Sequence, residues 1–316
     1  MTAPSPAIQV SGLRKSYGEQ LVLDGIDLEV PAGTVFALLG PNGAGKTTTI
    51  HILTTLLTPD AGEVAVGGHD LRDPEGIRAQ IGVTGQFSAV DDLLTGDENL
   101  RLMAALHHLG KPEGRRRIAD LLERFELTDA AHKHVATYSG GMKRRLDLAM
   151  TLMGNPRIVF LDEPTSGVDP RGRQTMWQIV GDLVADGITI FLTTQYLEEA
   201  DELANRIALL DRGRIVAEGT PAQLKRLVPG SALRLEFTDP EALERAATRL
   251  TSARRDADGL VLHIPTDGDV ASLRVVLDQL DRAALDVADF SIQTPDLDDV
   301  FLSLTGQSDA RKAATE

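Results

Sequence analysis

The chain has 316 residues, 42% hydrophobic and 25% charged, with no cysteine and a formal net charge of −15. The missing cysteines exclude disulfides, zinc–thiolate sites and thiol catalysis, and the acidic balance argues against direct contact with nucleic acid or anionic lipid. No apolar run reaches the roughly 18 residues that a membrane-spanning helix needs, and Met1–Val10 has neither the basic nor the apolar region of a secretory signal.

In chain order, Ile8–Val10, Leu21–Val30 and Thr34–Leu39 are predicted strands. The stretch from Gly40 to Thr49 is glycine-rich and then turns apolar at helical spacing through Ile50, Leu53, Leu56 and Leu57. Strand, glycine loop and helix is the order of a phosphate-binding α/β unit. Residues 62–71 and Ile81–Thr84 read as further strands. Residues 91–153 read as mostly helical. There Thr95 and Glu98 form a capping box for a helix through Leu106, Lys111-Pro112 interrupts, and Arg115–Phe125 resumes the pattern. Strands return at Ile158–Leu161 and Ile188–Thr193, and Arg206–Asp211 with Arg214–Glu218 reads as a hairpin turned by Arg212-Gly213.

Val228-Pro229-Gly230 is the expected domain boundary. Residues 229–316 hold 17 of the 47 acidic side chains but only 9 of the 32 basic ones, a shift in composition that fits a second domain. Strand 232–237, helix 240–250, strands 251–255 and 259–264, helix 268–283 and strand 286–293 are predicted there. That is the β-α-β-β-α-β order of a ferredoxin-like sandwich. Leu297, Val300, Phe301 and Leu304 share one face of a last short helix. The expected organisation is therefore a nucleotide-binding domain over 1–228 with a helical subdomain at about 87–153, an accessory α+β domain over 229–308, and a flexible tail over 309–316.

Three segments carry chemistry. Gly40-Pro41-Asn42-Gly43-Ala44-Gly45-Lys46-Thr47-Thr48 contains the full G-x-x-x-x-G-K-[ST] pattern. Its glycines let backbone N–H groups cradle phosphate oxygens, Lys46 reaches the β- and γ-phosphates, and Thr47 offers a hydroxyl to Mg²⁺. Ile158-Val159-Phe160-Leu161-Asp162-Glu163 is an apolar strand that delivers two carboxylates to its C-terminal end. Asp162 suits the Mg²⁺ shell and Glu163 the activation of water, two roles at different positions, as neighbouring strand residues point to opposite sides. Ser139-Gly140-Gly141, before the basic helix start Lys143-Arg144-Arg145, reads as a second anion nest or as a plain helix cap. One nucleotide does not need two nests from one subunit, whereas two subunits head to tail would use both.

These motifs, with Ser166-Gly167-Val168-Asp169, resemble the nucleotide-binding subunit of ATP-binding cassette (ABC) transporters over residues 8–219. The resemblance implies a P-loop NTPase cassette with a mixed-sheet core and a helical subdomain. It also implies a dimer with a second copy of the cassette, ATP and Mg²⁺ between the copies, and integral membrane permease subunits that hydrolysis drives. It implies residue roles as well: Tyr17 stacking on adenine, Gln86 approaching Mg²⁺ and sensing the membrane subunit, Asp169 crossing the dimer interface, and Phe87–Leu100 facing the permease. Tyr17 also reads as a core or rim residue, Gln86 as a polar loop residue and Asp169 as an ordinary turn starter.

Two departures stand out. Tyr138 and Met142 replace the usual leucine and glutamine around Ser139-Gly140-Gly141, and Gln195 stands where most cassettes have histidine. Glutamine donates an N–H to a γ-phosphate but cannot become cationic, which shifts the catalytic burden to Glu163. Gln195, Met142 and the segment Pro295–Leu302 resemble the daunorubicin/doxorubicin-resistance subgroup of drug-exporter ATPases, and this resemblance reaches about residue 305. It implies efflux of hydrophobic drugs or lipids from the cytoplasmic side of the cell membrane. Alternative readings are a soluble ABC-type ATPase acting on ribosomes or DNA, and an importer ATPase with a regulatory C-terminal domain. The first usually needs a second cassette, a long coiled coil or a zinc insertion, none of which is evident in the sequence. His107-His108 and His132-x-His134 lack the spacing to share a helical face, and Arg115-Arg116-Arg117 reads as a solvated helix face.

Overall fold

The computed structural model describes residues 6–228, 232–250, 253–255, 259–266, 270–282, 287–293 and 295–304. The chain divides into two units, Met1–Pro221 and Ala222–Glu316. The Pro229-Gly230 breaker lies beyond that division and outside the described residues.

The first unit opens with β1 (Ile8–Tyr17), β2 (Gln20–Val30), β3 (Val35–Leu39), α1 (Lys46–Leu53), β4 (Ala61–Val66), β5 (His69–Asp70), α2 (Pro74–Gln80) and β6 (Ile81–Thr84). A helical stretch follows with α3 (Gly96–Leu106), α4 (Lys111–Arg124) and α5 (Gly140–Thr151). The chain then runs through β7 (Ile158–Asp162), α6 (Pro170–Ala185), β8 (Thr189–Thr194), α7 (Leu197–Leu203), β9 (Arg206–Asp211), β10 (Arg214–Gly219) and α8 (Pro221–Lys225).

Two sheets result, an antiparallel one in the order β2-β1-β4-β5 and a six-stranded one in the order β10-β9-β3-β8-β7-β6. All neighbours in the second are parallel except the β9–β10 hairpin. Its central strands are apolar runs buried along their whole length, as strands covered on both faces must be. Phe36, Phe191 and Phe160 sit on β3, β8 and β7 in register, with ring centroids 5.6 and 5.5 Å apart. Each such pair contributes about 0.5–1.5 kcal/mol beyond its buried area.

Local chemistry sets the element ends. Thr95 and Glu98 close the capping box in both directions, with the Thr95 N–H donating to Glu98 at 2.8 Å and the Glu98 N–H to Thr95 at 3.2 Å. Lys111-Pro112 begins α4 rather than interrupting a helix, because a proline in the first turn gives up an N–H that has no partner there. Arg212 and Gly213 both take positive φ, 47° and 78°, the backbone of a two-residue hairpin turn.

In the second unit, β11 (Ala232–Glu236), α9 (Pro240–Arg249), β12 (Arg254–Arg255), β13 (Val261–Pro265), α10 (Val270–Arg282) and β14 (Asp289–Gln293) precede a helix over 297–304. The antiparallel sheet runs β12-β13-β11-β14, the interleaved order of a ferredoxin-like sandwich. Leu233 and Leu235 of β11 face Leu243 and Ala246 of α9 within one buried cluster. The strand predicted at 251–255 is the short β12, and residues 251–252 lie outside the described set.

Candidate functional site

Strand register brings the motifs to one edge. Leu39 of β3 pairs with Thr194 of β8, Asp162 of β7 with Thr193, and Thr84 of β6 with Leu161. Parallel strands in this register release their next residues at the same carboxyl end of the sheet, where ligands bind in open α/β folds. Gly40, Gln195, Glu163 and Gly85-Gln86 are those residues.

The glycine loop spans Gly40 to Gly45 and leads into α1 at Lys46. A Cβ on Gly40 would lie 2.3 Å from the Leu210 carbonyl oxygen, and Gly45 holds φ +112°, so both positions demand glycine. Pro41, Asn42, Gly43 and Thr47 are exposed, Thr48 is half-buried and Ala44 is buried. Lys46 is folded back into the loop. Its Nζ donates to the Gly40 and Pro41 carbonyls at 2.8 and 3.2 Å and lies 3.4 Å from Glu163 Oε1.

Asp162 is buried and doubly held: Thr47 Oγ1 donates to one oxygen at 2.9 Å and Thr193 Oγ1 to the other at 2.5 Å. Glu163 does not continue the strand. Its φ of +49° turns the chain away after Asp162, and its N–H donates to the Thr193 carbonyl at 3.1 Å. Glu163 leaves the strand through this left-handed turn, so its direction is not set by the alternation of strand residues that the sequence suggested. Thr47 and Asp162 together present hard oxygen donors, a set that suits Mg²⁺ and not a soft metal.

Ser139 caps α5, its hydroxyl accepting the Met142 N–H at 3.2 Å, and Gly140 opens the helix. Asp169 caps α6 in the same way, accepting the Gly172 N–H at 2.6 Å with Pro170 in the first turn. Ser139, Gly141, Met142 and Asp169 line one open cleft, and both capping residues are exposed. Two members of the basic helix start are engaged inside the helical region. Lys143 pairs with Asp92 at 2.6 Å, and Arg145 donates to Glu126 at 2.8 Å and to the Phe125 carbonyl at 3.1 Å. Gln86 is exposed after β6, Gln195 is half-buried after β8, and Tyr17 ends β1 at 50% exposure with the Lys15 ammonium 5.9 Å from its ring centroid. Thr193, which holds Asp162, and Arg144, buried against the carbonyls of Asp162 and Pro164, have no sequence signal that marks them as part of the site. A threonine in a strand and one arginine in a basic run carry no motif of their own.

Residues 23–166 match the ABC transporter family, and residues 219–305 match the C-terminal domain described as that of ATP-binding protein DrrA1-3-like. The chain is 47% identical over 311 residues to the daunorubicin resistance ATP-binding protein DrrA3 of Streptomyces coeruleorubidus, covering 98% of each. It is 36% identical over 304 residues to the Nod factor export ATP-binding protein I of Ralstonia nicotianae, covering 96% of this chain and 95% of that protein. Among solved structures, the ATP-binding cassette MJ0796, dimeric in a post-hydrolysis state with ADP and Pi, superposes with a TM-score of 0.61 at 27% identity, covering 67% of this chain and 98% of that one. Identity sustained along nearly the whole length, over a phosphate loop and carboxylates gathered at one sheet edge, places the chain in the ABC transporter family as one of its ATP-hydrolysing subunits.

Proposed function

We propose that this chain is the motor of an exporter that moves hydrophobic compounds, anthracycline-like drugs or lipids, through separate integral membrane permease subunits. Two copies work head to tail at the cytoplasmic face of the cell membrane. The observation that carries the catalytic reading is the cluster of Lys46, Thr47, Asp162 and Glu163 within hydrogen-bonding and ion-pair reach at one sheet edge. The names of the two relatives differ, daunorubicin resistance in one and Nod factor export in the other, and a cargo chosen by the permease and not by this chain fits that difference.

In the mechanism, N–H groups between Asn42 and Thr48 bind the phosphates of ATP, since the Gly40 N–H donates to Thr194 O at 3.2 Å and Pro41 has none, and Tyr17 stacks on adenine. Thr47, Asp162 and Gln86 would hold Mg²⁺, which neutralises charge on the β- and γ-phosphates when bound. Lys46 exchanges Glu163 and the loop carbonyls for phosphate oxygens. That exchange leaves the Glu163 carboxylate to accept a hydrogen bond, and then a proton, from the attacking water. Gln195 donates its side-chain N–H to the γ-phosphate. Ser139, Gly140 and Gly141 of the second copy close over the nucleotide, and Asp169 crosses between copies. Phe87, 87% exposed beside Gln86, and Leu93, 82% exposed, offer apolar contacts to the permease. Residues 229–308 support the cassette dimer.

The test is ATP binding and turnover by the full chain. Glu163→Gln is expected to bind ATP normally and to lose about 10²–10⁴-fold in turnover. Lys46→Ala is expected to lose binding, and Gln195→Ala to slow turnover less than Glu163→Gln. Normal turnover by Glu163→Gln would overturn the assignment. Purification with the permease, followed by a search for compounds that stimulate hydrolysis, tests the export reading, and a complete lack of stimulation by hydrophobic compounds would argue against it.

A further inference from the structure

The turn after β7 raises a problem of buried hydrogen bonding. Once Glu163 takes a positive φ, the carbonyls of Asp162, Glu163 and Pro164 leave the sheet ladder and need donors. The Ser166 N–H donates to Glu163 O at 3.1 Å, and one side chain supplies the others. Arg144, on the second turn of α5 and 7% exposed, donates from Nε to Pro164 O at 2.9 Å and from Nη2 to Asp162 O at 3.0 Å and Glu163 O at 3.4 Å. Its Nη1 donates to Gly85 O at 2.7 Å, the carbonyl directly before Gln86, and lies 3.4 Å from the Asp147 carboxylate. Asp147, 3% exposed, extends the link by accepting the Ala89 N–H at 3.2 Å. Burial pulls the guanidinium below its ordinary value and pushes the Asp147 carboxyl up, while their mutual attraction opposes both.

We infer that Arg144 is a positioning residue for hydrolysis. It ties the helix that begins at Ser139-Gly140-Gly141, the turn that aims Glu163, and the loop that carries Gln86 and Phe87 into one body. The inference rests on Glu163 as the group that activates water. A guanidinium is suited to the task because its planar fork serves several acceptors in fixed directions, whereas an ammonium on a flexible stem cannot hold the same set. A shift at the exposed Phe87 loop therefore reaches the turn that carries Glu163 through Arg144 as well as through the β6–β7 pairing, and a shift of α5 when Ser139 meets a phosphate reaches it through Arg144.

The experiment compares MgATP hydrolysis by the full chain, Arg144→Lys, Arg144→Ala and Glu163→Gln, with thermal unfolding of each. Arg144→Lys keeps a cation beside Asp147 and is expected to fold. Its kcat should fall about 10²-fold, as for other misplaced catalytic groups, while KM stays within about threefold. Arg144→Ala should lose kcat to the same extent and regain part of it in millimolar guanidinium, which general destabilisation would not allow. A kcat for Arg144→Lys within about twofold of the unsubstituted chain, while Glu163→Gln loses about 10²-fold or more, would overturn the proposal. Loss of the folded state in both Arg144 variants would do the same, since it would make the residue a stabilising one only. Normal hydrolysis by Glu163→Gln would instead remove the reading on which the proposal rests, and the two failures are told apart by that control.

Discussion

Glu199 shows how far a residue's role departs from its type. It lies in Leu197–Leu203, an acid-rich helix, yet it is 0% exposed, and the Trp177 Nε1–H donates to its Oε1 at 3.4 Å. Burial pushes its carboxyl above the ordinary glutamate range, against the Trp177 hydrogen bond and the charge of Arg173. The sign follows from linkage. A carboxyl raised in the folded state contributes stability that is fully present below the unfolded value and lost as pH rises through the folded one. Glu199→Gln, which cannot ionise, should therefore melt at a higher temperature than the unsubstituted chain at about pH 8, with the gap closing near pH 4. Thermal unfolding across that range checks it, and a gap independent of pH would refute the burial argument. The contrast with Lys46, Thr47, Asp162 and Glu163 is instructive. Those residues are legible because their chemistry requires fixed spacing, whereas Glu199 and Arg144 depend on neighbours distant in the chain.

At the scale of elements, legibility follows local chemistry. The capping box at Thr95 and Glu98 is readable because a cap is a contract between residues three apart. Thr95→Ala removes the acceptor for the Glu98 N–H and should destabilise the chain by about 1 kcal/mol, measurable by denaturant unfolding; a change below about 0.2 kcal/mol would mean that packing alone holds α3. The short strands are readable for a similar reason, as apolar runs such as Ile158–Leu161 have no stable place except a covered sheet. Asp169-Pro170 reads equally as a turn, and only the structure makes it the start of α6, because the helix that follows has to bury Met176, Ile179, Val180 and Leu183. The same holds for Pro112, which opens a helix instead of ending one.

At the scale of the whole molecule, Ser139 and the tip of the phosphate loop, Pro41–Gly43, are both exposed. Ser139 and Asp169 share an open cleft while the phosphate loop sits at the carboxyl edge of the central sheet. Head-to-tail pairing would give the Ser139 N-terminal dipole a phosphate to face. The Glu163→Gln chain should therefore be a dimer by light scattering in MgATP and a monomer without nucleotide, and Ser139→Arg in that background should abolish the nucleotide-dependent dimer. Dimerisation unaffected by Ser139→Arg would exclude this nest from the interface. The second unit's strand order emerges from its β-α-β-β-α-β pattern, since right-handed crossovers leave few ways to pair four such strands.

The phosphate loop, the paired carboxylates, the helix cap at Ser139 and the alternation of strands and helices are legible in the sequence alone, since each depends on residues adjacent in the chain. The tertiary structure decided which edge of the sheet gathers them, that Glu163 is aimed by a left-handed turn, and that Thr193 and Arg144 hold the carboxylate strand in place. The physical reason is separation. Thr193 meets Asp162 across a strand pair and Arg144 meets Gly85 across two packed segments, and no local pattern encodes a hydrogen bond whose two ends are brought together only by folding.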